Sequence, residues 1–439
     1  MTRKLFFTLL VEFLIQTGFS QAVDKTKLDS YFQALEASNK FMGSLVVAQN
    51  EKMLYTKSIG FIDIEAGVKA DENSKYRIGS ISKTFTTALI LKAVEEKKLS
   101  LTQTIEIYFP TVQNASKITI SQLLYHRSGI TNFTNDKSYL DWNTQPKTEA
   151  EMLKIITKAG SDFEPDSKAE YSNSNFLLLS YILEKVYEKS YSKILEEKII
   201  KPAGLKNTFF GGKINLKNNE CSSYKFLANW AKEPETDLSI PMGAGAIVST
   251  PTDLTKFSDA LFGGKIISKE SVKQMQTIKD KYGMGLFEIP FYDNLGYSHT
   301  GGIDGFRSVF AYFPEDKIAY ALTSNATNYE NNKITIALLS SVYDKPYDIP
   351  TFKTYELTTE DLDQYLGVYS SKEIAIKITI SKSDKILMAQ ATGQPAFALE
   401  AIEKDKFKFD QAGVVLEFNP ANKQLVLKQH GGAFTFTKE

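Results

Sequence analysis

Residues 76–98 read Y-R-I-G-S-I-S-K-T-F-T-T-A-L-I-L-K-A-V-E-E-K-K, and they constrain this chain more than any other stretch. After Lys83 the segment is apolar almost all round (Phe85, Ala88, Leu89, Ile90, Leu91, Val94), which predicts a helix buried on every side. Ser80 and Lys83 are expected in its first turn, where side chains three apart share a face and the amine can reach the hydroxyl. A serine hydroxyl is a weak nucleophile near neutral pH, and an adjacent amine whose pKa is lowered by burial can take its proton. The free N–H groups and the dipole at a helix start favour negative charge on the serine and depress the lysine pKa further. The same spacing recurs at Ser190 with Lys193 and at Ser222 with Lys225, so the motif needs partners elsewhere in the chain to carry meaning.

The surrounding pattern supplies layers for such a helix. Leu28, Tyr31, Phe32 and Leu35 mark one helix face, and apolar runs at 43–48 and 53–61 around Gln49, Asn50, Glu51 and Lys52 predict a hairpin. Residues 100–235 show no convincing strand pair and read as an inserted helical lobe, with helices at 121–124, 149–158, 176–189 and 191–200. Strands follow at 243–250, 282–287, 297–301, 307–313 and 318–323, then a helix at 332–342. Pro346 and Pro350 mark a linker over 344–354. Beyond it, Ile374, Ile376, Ile378 and Ile380 alternate, and short runs end at Met388, Leu399, Phe409, Phe418, Leu427 and Phe436, the spacing of an antiparallel barrel or sandwich. The expected organisation is a leader over 1–20, an α/β domain over 21–345 with its helical lobe near 100–235, and a β domain over 355–439.

Two further motifs follow Ser80. Tyr171-Ser172-Asn173 stands just ahead of the apolar helix that begins at Phe176, and His299-Thr300-Gly301-Gly302 lies in a strand of the returning sheet. Tyr-x-Asn also occurs at 292–294 and 329–331, but only 171–173 has this order and setting. With S-x-x-K at the start of a buried helix, Y-x-N in the lobe and H-T-G on a strand, residues 28–342 resemble the serine β-lactamase and penicillin-binding protein superfamily. The likeness is greatest to the branch of class C β-lactamases, D-alanyl-D-alanine carboxypeptidases, D-aminopeptidases and related esterases. It implies an antiparallel sheet flanked by helices, with the helical lobe inserted.

The resemblance also implies roles. Ser80 would form an acyl-enzyme with Lys83 as its proton partner. Tyr171 would shuttle a proton to the leaving group and activate the deacylating water, and Asn173 would bond the Lys83 side chain or the substrate amide. The backbone N–H groups of Ser80 and Gly302 would form the oxyanion hole, and His299, Thr300 and Gly301 would bind substrate. His299 departs from the pattern, because the best-known lactamases and carboxypeptidases have lysine there. A histidine is mostly neutral near pH 7.4, which weakens the fixed charge for a substrate carboxylate and leaves amidase, D-aminopeptidase and esterase readings open. Arg307 is a candidate replacement anchor for that carboxylate. The stretch His126-Arg127-Ser128-Gly129-Ile130 reads as a turn that closes the lobe and is assigned no chemistry.

Composition narrows the classes. The 52 basic and 52 acidic side chains balance, so nothing points to nucleic acid. Cys221 is the single cysteine and there are three histidines, which argues against a disulfide or a zinc site of the usual ligands; no metal or cofactor is expected. Arg3 and Lys4 precede an apolar run over 5–15 that is too short to span a bilayer and ends in small residues before Gln21, the form of an export signal. The expectation is an exported serine hydrolase, periplasmic or extracellular, without a transmembrane helix in the mature chain. Its substrate would be an amide or ester, a small molecule or a D-residue peptide derived from peptidoglycan. The rival readings are a β-lactamase and a penicillin-recognising scaffold without turnover.

Overall fold

A computed structural model describes residues 23–227, 229–352, 355–429 and 431–439. The expected leader lies outside them. Six antiparallel strands form the main sheet in the spatial order Phe287–Phe291, Asn294–Ile303, Phe306–Phe313, Ile318–Thr327, Phe41–Gln49 and Lys52–Ile59. The sheet is thus built from both ends of the α/β portion, Phe41–Gln49 pairing with Ile318–Thr327. One sheet face is covered by the helices Lys25–Ala37 and Asn331–Val342, whose Leu28, Phe32, Leu35, Ile334 and Leu338 pack on Val47, Tyr320 and Leu322. The other face carries Pro251–Phe262 and, beyond it, the buried helix Ser82–Glu95; Phe85 stacks on Phe257 at 3.7 Å between ring centres, and Phe257 meets Phe310 of the sheet edge-on. The helix Asn173–Tyr187 joins the same core through Phe176, Leu179 and Leu183.

Four local expectations need correction. The α-helix starts at Ser82, and Ser80 sits in a 3₁₀ turn, Gly79–Ile81, that precedes it. The cause is close approach: Gly79 has φ +50°, and a Cβ there would come within 2.9 Å of the Gly302 backbone. The lobe does contain a strand pair, Tyr224–Leu227 with Asn229–Lys232, which no glycine or proline announces. Strand structure near 243–250 is confined to Ile247–Ser249, since Met242–Ala244 is a 3₁₀ turn. Finally, the edge strand begins at Phe287, where 282–287 was expected, because 282–286 are taken up by a turn that donates Gly283 N–H to Leu286 O at 2.8 Å.

Beyond the linker, eight antiparallel strands from Gly367–Ser370 to Gly432–Lys438 close into a barrel, sealed by pairing of Tyr369 and Ser370 with Lys438 and Thr437. Alternation supplies the filled interior. Ile378, Ile380, Leu387, Leu399, Phe407, Leu416, Leu425 and Phe436 point inward and fill the interior, as small barrels require. Ile374 and Ile376 continue the sequence pattern but precede the strand, which begins at Lys377. Among the described residues no helix is long and apolar enough to cross a membrane.

Candidate active site

The wholly buried Lys83 is the centre of the site. Its Nζ donates to Asn173 Oδ1 at 2.8 Å and to Ala244 O at 2.8 Å, and lies 2.9 Å from Ser80 Oγ. Asn173 is oriented by two other bonds: its Nδ2 donates to Thr134 Oγ1 at 3.2 Å, and its backbone N–H donates to Asn132 Oδ1 at 3.0 Å. Burial pushes the Lys83 pKa well below the ordinary lysine value. A neutral amine has two N–H groups and one lone pair. Here both acceptors that cannot donate in return take the N–H groups, so the lone pair is left to face the Ser80 hydroxyl. An amine so placed can accept the serine proton.

Ser80 is held against the third strand-borne motif. The Ser308 hydroxyl donates to Ile78 O at 2.8 Å, and a Cβ on Gly301 would stand 1.9 Å from that same oxygen. Only glycine lets the strand Asn294–Ile303 approach this closely. Ser80 and Gly302 therefore meet at the wall of one cavity of about 490 Å³, also lined by Asn173, Ala244 and Gly245. Thr300 is exposed on the same strand face as Gly302, two residues apart.

Tyr171 packs over Lys83, whose Nζ is 4.9 Å from the ring centre. Burial raises the phenol pKa and the neighbouring Ser80 hydroxyl opposes it only in part, so the group rests as a neutral phenol. His126 supports it from behind, its ring 4.5 Å from that of Tyr171 and its Nδ1 accepting the Ser172 N–H at 3.1 Å. The turn at 126–130 is thus a brace under the Tyr-x-Asn segment. Ser128 is turned away, donating to Asn175 Oδ1 at 2.6 Å.

His299 is 2 % exposed and is not on the cavity wall. Its Nδ1–H donates to Thr300 O at 2.6 Å, and its ring packs 4.9 Å from Phe287. Burial, with Lys83 nearby, lowers its pKa to about 3, so it supplies no positive charge. Arg307 is exposed beside Gly302 and donates to the carbonyls of Asp304 and Phe306. The other two Ser-x-x-Lys pairs do not assemble. Ser190 caps a helix by accepting Lys193 N–H, while Ser222 bonds Asp63 and Lys225 pairs with Glu233.

Sequence reasoning missed the cavity's remaining walls. Phe133, Tyr139 and Asn143 come from the lobe, and Lys225, Glu233, Thr236 and Asp304 from scattered turns. Beneath them Arg77 donates to Asp304 Oδ2 at 3.1 Å and Glu235 Oε2 at 2.9 Å, and Thr236 donates to Asp304 Oδ1 at 2.6 Å. No short motif joins these residues, so no local signal could have found them.

A serine beside a buried lysine on this scaffold defines the class: the chain belongs to the beta-lactamase family, matched over residues 28–341. Teichoic acid D-alanine hydrolase of Staphylococcus aureus is 29% identical over 325 residues, covering 71% of this chain and 75% of that protein. D-amino acid amidase from Ochrobactrum anthropi SV3 has a TM-score of 0.65 at 23% identity, over 72% of this chain and 98% of its own. The octameric penicillin-binding protein homologue from Pyrococcus abyssi has a TM-score of 0.65 at 22% identity and covers 94% of this chain and 100% of its own, so the likeness in fold extends into the barrel.

Proposed function

We propose that this protein is an exported serine hydrolase that cleaves D-aminoacyl esters or amides through an acyl-enzyme on Ser80. The observation that carries the reading is the buried Lys83 amine, its pKa pushed well down by burial, 2.9 Å from Ser80 Oγ and bonded to Asn173 Oδ1 and Ala244 O. In the acylation step the Ser80 proton passes to Lys83 Nζ as Oγ bonds to the substrate carbonyl carbon. The oxyanion forms between the N–H groups of Ser80 and Gly302, where preset donors contribute about 3 to 4 kcal/mol each. Tyr171, resting as a phenol, gives its proton to the departing alkoxide or amine and regains one from the Lys83 side. Water then repeats the sequence on the acyl-enzyme, and its proton is taken up by the same pair.

The relatives named for D-alanine and D-amino acid hydrolysis support the D-aminoacyl substrate class. The neutral, buried His299 favours this reading over a β-lactamase, because the strand position where the best-known lactamases have lysine carries no charge here. Turnover of D-alanyl and L-alanyl p-nitroanilides and methyl esters, with ampicillin alongside, tests it. The expected result is hydrolysis of the D-series well above the L-series, with ampicillin poor. Equal rates for both hands, or efficient ampicillin turnover, would reject the substrate class.

A further inference from the structure

Asn143 closes the short helix Tyr139–Trp142 of the lobe and is 8 % exposed. Its backbone is held on both sides: the N–H donates to Tyr139 O at 3.0 Å, and the carbonyl accepts the Asp237 N–H at 2.8 Å. Its side chain lines the cavity that holds Ser80. A carboxamide can offer such a cavity either its N–H groups or its oxygen, and the groups behind it decide which.

Behind Asn143 runs a chain of hydrogen bonds with a fixed direction. Both oxygens of Asp304 receive N–H donors at 3.1 Å, Oδ2 from Arg77 Nη1 and Oδ1 from the Thr236 backbone, which keep the carboxyl in the accepting role against the burial that raises its pKa. The Thr236 hydroxyl donates to Asp304 Oδ1 at 2.6 Å and so spends its only proton. Toward Asn143 the same hydroxyl can only accept, and Asn143 Nδ2 donates to it at 2.9 Å. The buried Arg77 fixes the chain at its root, since it also donates to Thr236 O at 2.8 Å and to Glu235 Oε2 at 2.9 Å. Asn143 Oδ1 is therefore turned away from Thr236, and it receives no hydrogen bond among the described residues. The Tyr139 hydroxyl stands beside Asn143 and Thr236 without a well-aligned bond to either.

The charged groups of this wall are paired with one another, Arg77 with Asp304 and Glu235, and Lys225 with Glu233. What Asn143 adds is an oriented acceptor that cannot flip to become a donor without breaking the Thr236 bond. Such a group favours a ligand that donates to it over one that cannot, because the unmatched acceptor has already lost most of its water. In a D-alanyl methyl ester the ammonium is the only donor.

We propose that Asn143 is a specificity-determining residue whose Oδ1 accepts a hydrogen bond from the ammonium of the D-aminoacyl substrate, and that Thr236 and Asp304 are positioning residues that hold it in that orientation. The inference rests on the hydrolase reading above and adds to it how the amino group is recognised.

The test compares the methyl esters of D-alanine, of propionic acid and of (R)-2-methoxypropionic acid, whose acyl groups carry a donor, neither donor nor acceptor, and an acceptor alone. For the full-length protein kcat/KM should fall in that order. Asn143→Leu and Asn143→Ala should each lower the D-alanyl-to-propionyl ratio by about tenfold or more, the scale of a hydrogen bond to a charged group. Because a ratio is read, loss of folded protein affects both esters alike and cancels. Thr236→Val should lower the ratio several-fold, since the amide then lacks the acceptor that orients it, and Thr236→Ser should restore it. Turnover without a preference for the D-alanyl ester, or an unchanged ratio in the Asn143 variants, overturns the assignment and leaves the hydrolase reading standing. Equal ratios in Thr236→Val and Thr236→Ser overturn the part given to the positioning residues. Turnover of none of the three esters overturns the hydrolase reading and this inference with it.

Discussion

At the scale of single residues, burial of the Lys83 amine disfavours its charged form, and the free base it favours is the state a serine partner needs. Lys83→Ala should lower kcat by a factor of about 100 or more, the scale of a lost general base, while circular dichroism stays unchanged. His299 makes a signed claim about pH. It is neutral in the native protein down to about pH 3 and titrates near its ordinary value of 6.5 when unfolded, so the unfolded chain binds more protons between those limits. This group's contribution to stability therefore rises with pH across that window and is level above it. In urea titrations the advantage of the parent over His299→Gln should shrink as pH falls from about 6.5 to about 4.5, by at most about 1.4 kcal/mol per pH unit. The parent kcat/KM should show no inflection near pH 6.5 from this side chain, and His299→Lys should be damaging because it places an ammonium at a position only 2 % exposed. Ser80, Lys83 and Asn173 were legible because each carries a motif with fixed spacing. The buried state of His299 was not, because it depends on Phe287 and on strand packing that its own neighbours do not encode.

At the scale of elements, the site depends on how closely a turn and a strand approach. Between that turn and that strand, a side chain at Gly79 would meet the Gly302 backbone and one at Gly301 would meet Ile78 O. Gly301→Ala should force the strand Asn294–Ile303 outward, cost about 2 kcal/mol or more in stability, and reduce acylation because Gly302 N–H moves with it. Thermal melting and the acylation rate of one ester, measured on the same preparation, check both effects. Periodicity predicted the buried helix well, since an all-apolar segment has few other places to go. The hairpin at 224–232 escaped notice for the opposite reason: its turn lacks glycine and proline, and its strands take their faces from two different cavities, which blurs the alternation.

At the scale of the whole molecule, the barrel is held to the α/β portion by charge as well as by contact. Lys40, 4 % exposed, pairs with Glu400 and Asp410 of the barrel, and Lys408 pairs with Asp410 at 2.8 Å. The Phe352 ring lies 5.3 Å from both ammonium groups. Removing Lys40 leaves Glu400 unpaired while Asp410 keeps Lys408, so Lys40→Met should weaken the docked arrangement by about 1 to 3 kcal/mol and expose the segment around Pro350 to limited proteolysis. The alternating sequence beyond the linker made a β unit legible, and closure into a barrel required the pairing of Tyr369 with Lys438, about seventy residues apart, which no local pattern announces.

The central claim is that Ser80 is the nucleophile. Intact-mass spectrometry after exposure to a fluorophosphonate tests it most directly, with peptide mapping of the product. The account predicts one adduct per chain, on Ser80, and none on Ser80→Ala. An adduct of equal yield on the alanine variant, or one mapped to Ser128, Ser190 or Ser222, would contradict it.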